Sequence, residues 1–224
     1  MTVAALYIDP SGPYPRIAQG WQASPDEGAD EGEPLCGWLF PRDEPLILDV
    51  WDESRDARLY EGPHPVVAHP PCGPWGRLRH LYRGAEHDCA PRAVEQVRRW
   101  GGVLEHPAGS LLWDDKGLSL PWPGNEDAFG GITVSVGQVE WGHVARKRTW
   151  LYVVGVPRER VQALIDARPF PGREPTHWIS GRRGGSNSYD NVPPGIKVCS
   201  AQQRRRTPPA FAEFLIAIAR EARR

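Results

Sequence analysis

Apolar residues fall along this chain in short runs that end abruptly in Pro, Gly or charge. Val3-Ala-Ala-Leu-Tyr-Ile8 predicts a buried strand, stopped by Asp9-Pro-Ser-Gly-Pro13. Leu46-Ile-Leu-Asp-Val50 predicts a second strand, ending in carboxylates. Pro65-Val-Val-Ala68 predicts a third, running straight into His69-Pro-Pro-Cys72. The spacing of Val94, Val97 and Trp100 predicts a helix over 91–100, with Pro91 in its first turn and Gly101-Gly102 as its stop. A strand, Gly102-Val-Leu-Glu105, follows and enters His106-Pro-Ala-Gly109. Ile132, Val134 and Val136 alternate, and Trp150-Leu-Tyr-Val-Val154 reads as one more strand. Val161, Leu164 and Ile165 mark a short amphipathic helix over 158–168. Phe211, Phe214, Leu215 and Ile218 share one face of a strong closing helix, with Thr207 as its N-cap and Pro208 at its first position.

Residues 18–45 are acidic and rich in Gly and Pro, and predict a loop or insertion. Residues 169–206 read as irregular. Short buried strands with helices between them predict an α/β layered sheet, mostly parallel, with an antiparallel hairpin formed by the last two strands. At 224 residues the whole chain reads as a single domain. Residues 156–203 form a small irregular segment within it.

Overall charge is −1, but its distribution is uneven. Residues 1–62 hold 4 basic and 13 acidic side chains, net −9, and residues 143–224 hold 16 and 6, net +10. A basic terminal third suits a nucleic-acid phosphate backbone. The apolar stretch near residues 211–219 is too short to span a bilayer, and residues 1–10 lack the basic start and full apolar run of a signal peptide. The expectation is a cytoplasmic protein with no membrane partner. Cys36, Cys72, Cys89 and Cys199 have no paired spacing and read as reduced thiols. His69, Cys72, His80, His87 and Cys89 lack the tight pairs of a zinc site, so no metal is expected.

Two positions carry the candidate chemistry. Cys72 lies just past the carboxyl end of an apolar strand, where ligands bind in open α/β sheets. Glu105 ends the next buried strand, and a carboxylate there needs a partner. The alternative for each is ordinary: a small core thiol, and a solvated strand-end charge.

The segment Pro70-Pro-Cys-Gly-Pro-Trp-Gly76 resembles the catalytic Pro-Cys motif of the cytosine-5 DNA methyltransferases. Leu104-Glu-His-Pro107 with Gly109 is similar to that family's Glu-Asn motif. The segment from Gln138 to Gly155, containing Arg146-Lys-Arg148, resembles its Gln-x-Arg-x-Arg hairpin, and residues 207–219 resemble its closing Pro-Pro helix. The resemblance implies a Rossmann-like sheet and methyl transfer from S-adenosylmethionine to C5 of a flipped cytosine. It implies that Cys72 is the nucleophile adding to C6, and that Glu105 holds the N3 and amino edge. Arg146 and Arg148 would hold the base or its phosphates and favour the Cys72 thiolate. Asp9, Gly12, Asp49, Asp52 and Pro71 would line the donor site, with Glu53 a further carboxylate near it. Trp75 would stack on the base. Arg182, Arg183, Arg204, Arg205 and Arg206 would meet the DNA.

The family's first strand leads into a loop with two or three glycines, where this chain has Gly12 alone. Two other readings therefore stay open. One is a non-catalytic nucleic-acid-binding protein on a degenerate methyltransferase fold. The other is an amino-group DNA methyltransferase, although Cys72 stands where that chemistry would place an aromatic residue.

Overall fold

The computed structural model describes residues 1–20, 46–52, 54–76, 79–179 and 192–223. Cys36, Glu53, Arg182, Arg183 and nearly all of the acidic 18–45 segment lie outside the described residues.

Six strands form one sheet: β1 (Thr2–Leu6), β2 (Ile47–Trp51), β3 (Val66–Ala68), β4 (Gly102–Pro107), β5 (Gly131–Gly137) and β6 (Arg148–Val154). Their spatial order is β2-β1-β3-β4-β6-β5. The first four run parallel; β6 lies antiparallel between β4 and β5. The fold is thus α/β with a mostly parallel mixed sheet. Five strands share one direction, and only β6 opposes them.

Both faces of the sheet are covered, which is why its strands read as continuous apolar runs. On one face, α1 (Pro13–Ala18), α4 (Arg158–Asp166) and α6 (Pro209–Glu221) close a core around Val3, Ala5, Val67, Val103, Leu151 and Val153. On the other, α2 (Cys89–Trp100) and α3 (Leu112–Lys116) cover Ala4, Leu6, Val66, Leu104, Tyr152 and Val154. The alternation along each strand decides which residues meet which layer.

The closing helix is the deepest element. Phe211, Phe214, Leu215 and Ile218 are fully buried, and Phe214 lies 4.7 Å from the Trp141 ring between centroids. Its cap is Pro208 with Pro209 in the first turn, one residue later than the sequence pattern places it. Gly102 opens β4 with φ +112, and an added Cβ would lie 2.0 Å from the Val66 carbonyl oxygen. Only glycine lets β4 pair with β3 there.

The stretch read as irregular holds more order than expected. β7 (His177–Trp178) and β8 (Lys197–Val198) pair in parallel, and α5 (Ala201–Arg205) is closed by a Ser200–Gln203 capping box. This small layer hangs on the β5–β6 connection: the Thr176 and His177 amides both donate to the Val144 carbonyl, each at 3.0 Å. Among the described residues no helix is long and apolar enough to cross a membrane.

Phe214→Ala should lower unfolding free energy by about 3–5 kcal/mol, the range for emptying a buried aromatic site. Urea unfolding measures this, and a loss below about 1 kcal/mol would contradict the central role of α6.

Candidate functional site

A parallel sheet gathers its carboxyl ends along one edge, and the β5–β6 connection returns to the same edge. β1 delivers Asp9 to Tyr14 there, and β3 delivers His69 to Cys72. β4 delivers Glu105 and His106, and β5 delivers Gln138. Because β6 runs backwards, its start brings Lys147, Arg148 and Thr149 to the same place.

Glu105 is the centre of this edge. Its side chain is only 13% exposed, and both oxygens are held. His69 Nδ1 lies 3.2 Å from Oε2, and Gln138 Nε2 donates to Oε1 at 3.0 Å. The same Gln138 amide donates to Thr149 Oγ1 at 3.0 Å, and Thr149 donates onward to the Lys147 carbonyl. On the far side of His69, Nε2 meets the Tyr14 hydroxyl at 2.6 Å. Burial pushes the Glu105 carboxyl up, but the His69 hydrogen bond and the charges of His69, Lys147 and His106 outweigh it and bring the carboxyl down to about 2. Glu105 is therefore a fixed anion at neutral pH.

Cys72 is exposed, and its carbonyl accepts from the Trp75 and Gly76 amides, which folds the Pro-Cys loop into a tight turn. An added Cβ at Gly73 would sit 2.3 Å from the Tyr82 ring, so a side chain there would have to displace that ring. The expectation that Arg146 and Arg148 lower the thiol's pKa is not met. Desolvation and the Glu105 anion hold the thiol above its usual range, and the cation that opposes them is Lys147. The Lys147 ammonium donates to the Arg206 carbonyl at 2.8 Å, and burial lowers its own pKa against the pull of Glu105 and Cys72. Arg146 instead reaches away to Glu174 at 3.6 Å and is exposed, as is Arg148.

His69, Tyr14, Gln138 and Lys147 are the site members that the sequence reading did not place. The only signal for His69 in the sequence is its position three residues before Cys72. Lys147 adopts φ +33, which breaks strand alternation just before β6 and turns its side chain to the site.

The residues expected at a donor site are less well assembled. Asp9 Oδ1 accepts from the Ser11 amide and hydroxyl, and the Gly12 amide donates to the Asp9 carbonyl, so the loop satisfies its own polar groups. Asp49 is tied to Arg55 and to the Trp51 indole. Asp52 accepts from the Ser54 amide and hydroxyl. Pro71 turns its carbonyl toward His106. Trp75 packs against the α2-side core rather than standing free beside Cys72. Arg204 and Arg205 lie exposed on α5, with Arg206 just after it. Among the described residues no group of three or more His, Cys, Asp or Glu could hold a metal ion.

Two outcomes follow from this charge arrangement. Lys147→Met should slow iodoacetamide alkylation of Cys72 at neutral pH by about 3- to 10-fold, the effect of losing one partly screened cation. Arg146→Ala and Arg148→Ala should change that rate less than about twofold, since neither acts on the thiol; an equal loss in Arg148→Ala would return the role to the arginines. The second outcome concerns His106, fully buried with Nδ1 2.8 Å from Ser110 Oγ. Burial lowers its pKa from 6.5 to about 4, opposed by the Glu105 charge and the Pro71 carbonyl. A depressed histidine binds fewer protons folded than unfolded between these values. Stability should therefore be full above pH 6.5 and fall by about 3 kcal/mol as pH drops to 4. His106→Gln should flatten the dependence of unfolding free energy on pH in that window, and an unchanged slope would place the titrating group elsewhere.

Compared with protein-family models, with curated proteins and with solved structures, the chain gives no match in any of the three.

Proposed function

We propose that this protein is a DNA cytosine-5 methyltransferase-like enzyme whose Cys72 thiol adds to C6 of a flipped cytosine. The observation that carries this reading is the pairing of Cys72 and Glu105. They stand at the carboxyl ends of two adjacent parallel strands, close enough for the Glu105 charge to act on the ionisation of Cys72. A thiol and a fixed carboxylate at the ends of neighbouring strands match the needs of nucleophilic addition to an amino-pyrimidine. The thiolate forms a bond to C6, and the carboxylate accepts from the exocyclic amine and stabilises a protonated N3. The Rossmann-like arrangement implied by the sequence motifs, with a late antiparallel hairpin, supports the same reading. So do the exposed Arg204 and Arg205, which lie on the element whose end is bonded to Lys147 and would meet phosphates.

S-adenosylmethionine would supply the methyl group in such an enzyme. The residues assigned to it fit only in part. Asp52 stands just past the end of β2, where a ribose-binding carboxylate belongs, but the loop from Asp9 to Gly12 spends its amides on itself. An added Cβ at Gly12 would meet the Asp9 carbonyl oxygen at 3.1 Å, so this glycine serves the loop's own turn rather than a ligand cradle. The step that this chain's own residues are equipped to perform is therefore the addition to C6. The self-satisfied loop favours a second reading, a non-catalytic nucleic-acid binder on the same fold.

One experiment separates the two. Incubated with DNA carrying 5-fluorocytosine and S-adenosylmethionine, the protein should form a covalent adduct stable to denaturant, because fluorine at C5 blocks release. Cys72→Ser should abolish it without loss of fold, whereas Cys89→Ser should not affect it. No adduct from folded wild-type protein that still binds DNA would leave the binder; an adduct that survives in Cys72→Ser would place the chemistry elsewhere.

A further inference from the structure

The Glu105 carboxyl carries no proton of its own at neutral pH, yet a cytosine attacked at C6 takes up a proton at N3. The geometry points to His69 as the group that supplies this proton through Glu105, with Tyr14 fixing the imidazole for the task. The inference rests on the proposed cytosine addition and deepens it.

Three elements build the array. Tyr14 comes from α1 and is 2% exposed; its hydroxyl lies 2.6 Å from His69 Nε2, and the two rings meet edge to face at 5.3 Å. His69 comes from the end of β3, and its Nδ1 lies 3.2 Å from Glu105 Oε2 at the end of β4. Gln138 occupies the other carboxylate oxygen with an amide donor, which carries no labile proton for this purpose. His69 is thus the only neighbour hydrogen-bonded to Glu105, among the described residues, with a proton to give. The ionisable groups around the pair are Tyr14 on α1, Cys72 on the β3 loop, His106 on β4 and Lys147 before β6.

The step balances without an added reagent. The Cys72 proton leaves to solvent, the S–C6 bond forms, and the C5–C6 π pair moves into the ring toward N3. The Glu105 carboxylate first takes the Nδ1 proton of the His69 imidazolium and then passes a proton to N3. Glu105 ends as it began, and His69 ends as neutral imidazole with Nε2–H donating to Tyr14. Elimination of Cys72 reverses every transfer. His69 acts through Glu105 and is a positioning and relay residue rather than a group that touches the base.

While Cys72 is bonded to C6, the C4=C5 enamine can take a proton from water at C5 and then lose the tritium to water before Cys72 is eliminated, so the test needs no methyl donor. Wild-type protein mixed with DNA carrying cytosine tritiated at C5 should release tritium, with a rate that falls on the alkaline side as one proton is lost from the relay. His69→Gln should cut the rate at neutral pH by at least about 10-fold, within the span of general acid catalysis, and should erase the alkaline fall. Release that keeps the wild-type profile in His69→Gln overturns the relay while leaving the cytosine addition standing. Should His69→Gln not fold, Tyr14→Phe removes only the Nε2 partner and must shift the alkaline fall; an unshifted profile overturns the relay equally. No release and no 5-fluorocytosine adduct from wild-type protein overturns the addition, and the relay with it.

Discussion

A carboxylate held at the buried end of a parallel strand must be compensated, and in this protein Glu105 sets that requirement. An ion removed from water costs several kcal/mol unless hydrogen bonds and opposite charge replace its hydration. Here the replacements come from separate parts of the chain. His69 arrives from β3, Gln138 from the end of β5, and Lys147 from the turn into β6, while Tyr14 of α1 supports His69 from behind. None of these partners is near Glu105 in sequence. The anion therefore ties together the strands that converge on this edge, and losing one partner would leave the charge uncovered, at a cost of about 3–5 kcal/mol for a buried pair.

The reversed strand makes this convergence feasible. In a wholly parallel sheet, only strand ends and the loops after them reach the carboxyl edge. With β6 antiparallel between β4 and β5, a strand start reaches it as well, so that Lys147 acts on Glu105 by its charge and Thr149 is joined to it through Gln138. The same connection carries the small β7–β8 layer through the Val144 carbonyl, and the Lys147 ammonium holds the chain after α5 through the Arg206 carbonyl. The basic terminal third is thus attached to the polar edge at defined points.

Much of the architecture was legible in the sequence because both faces of the sheet are buried. Strands such as Val66–Ala68 and Gly102–Pro107 then appear as plain apolar runs, and their ends mark the edge that holds the candidate site. Cys72 and Glu105 were readable for that reason alone. Partners reached only through tertiary packing were not. Tyr14 sits in a Pro- and Gly-rich stretch that reads as a turn, yet Pro13 and Pro15 there occupy the first turn of α1 and the helix buries the tyrosine. Lys147 was hidden between two arginines. Strand alternation puts Arg146 and Arg148 on one face and Lys147 on the other, but β6 begins only at Arg148, so that alternation does not extend back to Arg146. The β7–β8 pair was missed because two-residue strands leave no periodicity to read.

The electrostatics of the edge place the two reactive groups in opposition at rest. Burial first, and then the negative charge that His69 and Gln138 hold in place on Glu105, raise the neighbouring Cys72 thiol, and Lys147 offsets only part of that effect. Under the proposed reading, a cytosine changes the balance on arrival. Its amino group and protonated N3 would face Glu105 as donors and partly neutralise the anion, so the main electrostatic penalty on the thiolate would fall when the base is seated. Lys147 would then act on Cys72 less opposed. A nucleophile restrained by its own partner residue in the empty site, and released by the group that residue binds, is protected from indiscriminate alkylation and oxidation, which require the thiolate. The raised thiol therefore does not count against covalent chemistry at Cys72: burial and the carboxylate beside it impose it together, and the carboxylate's share falls once a cationic or donor-rich ring lies between the two groups.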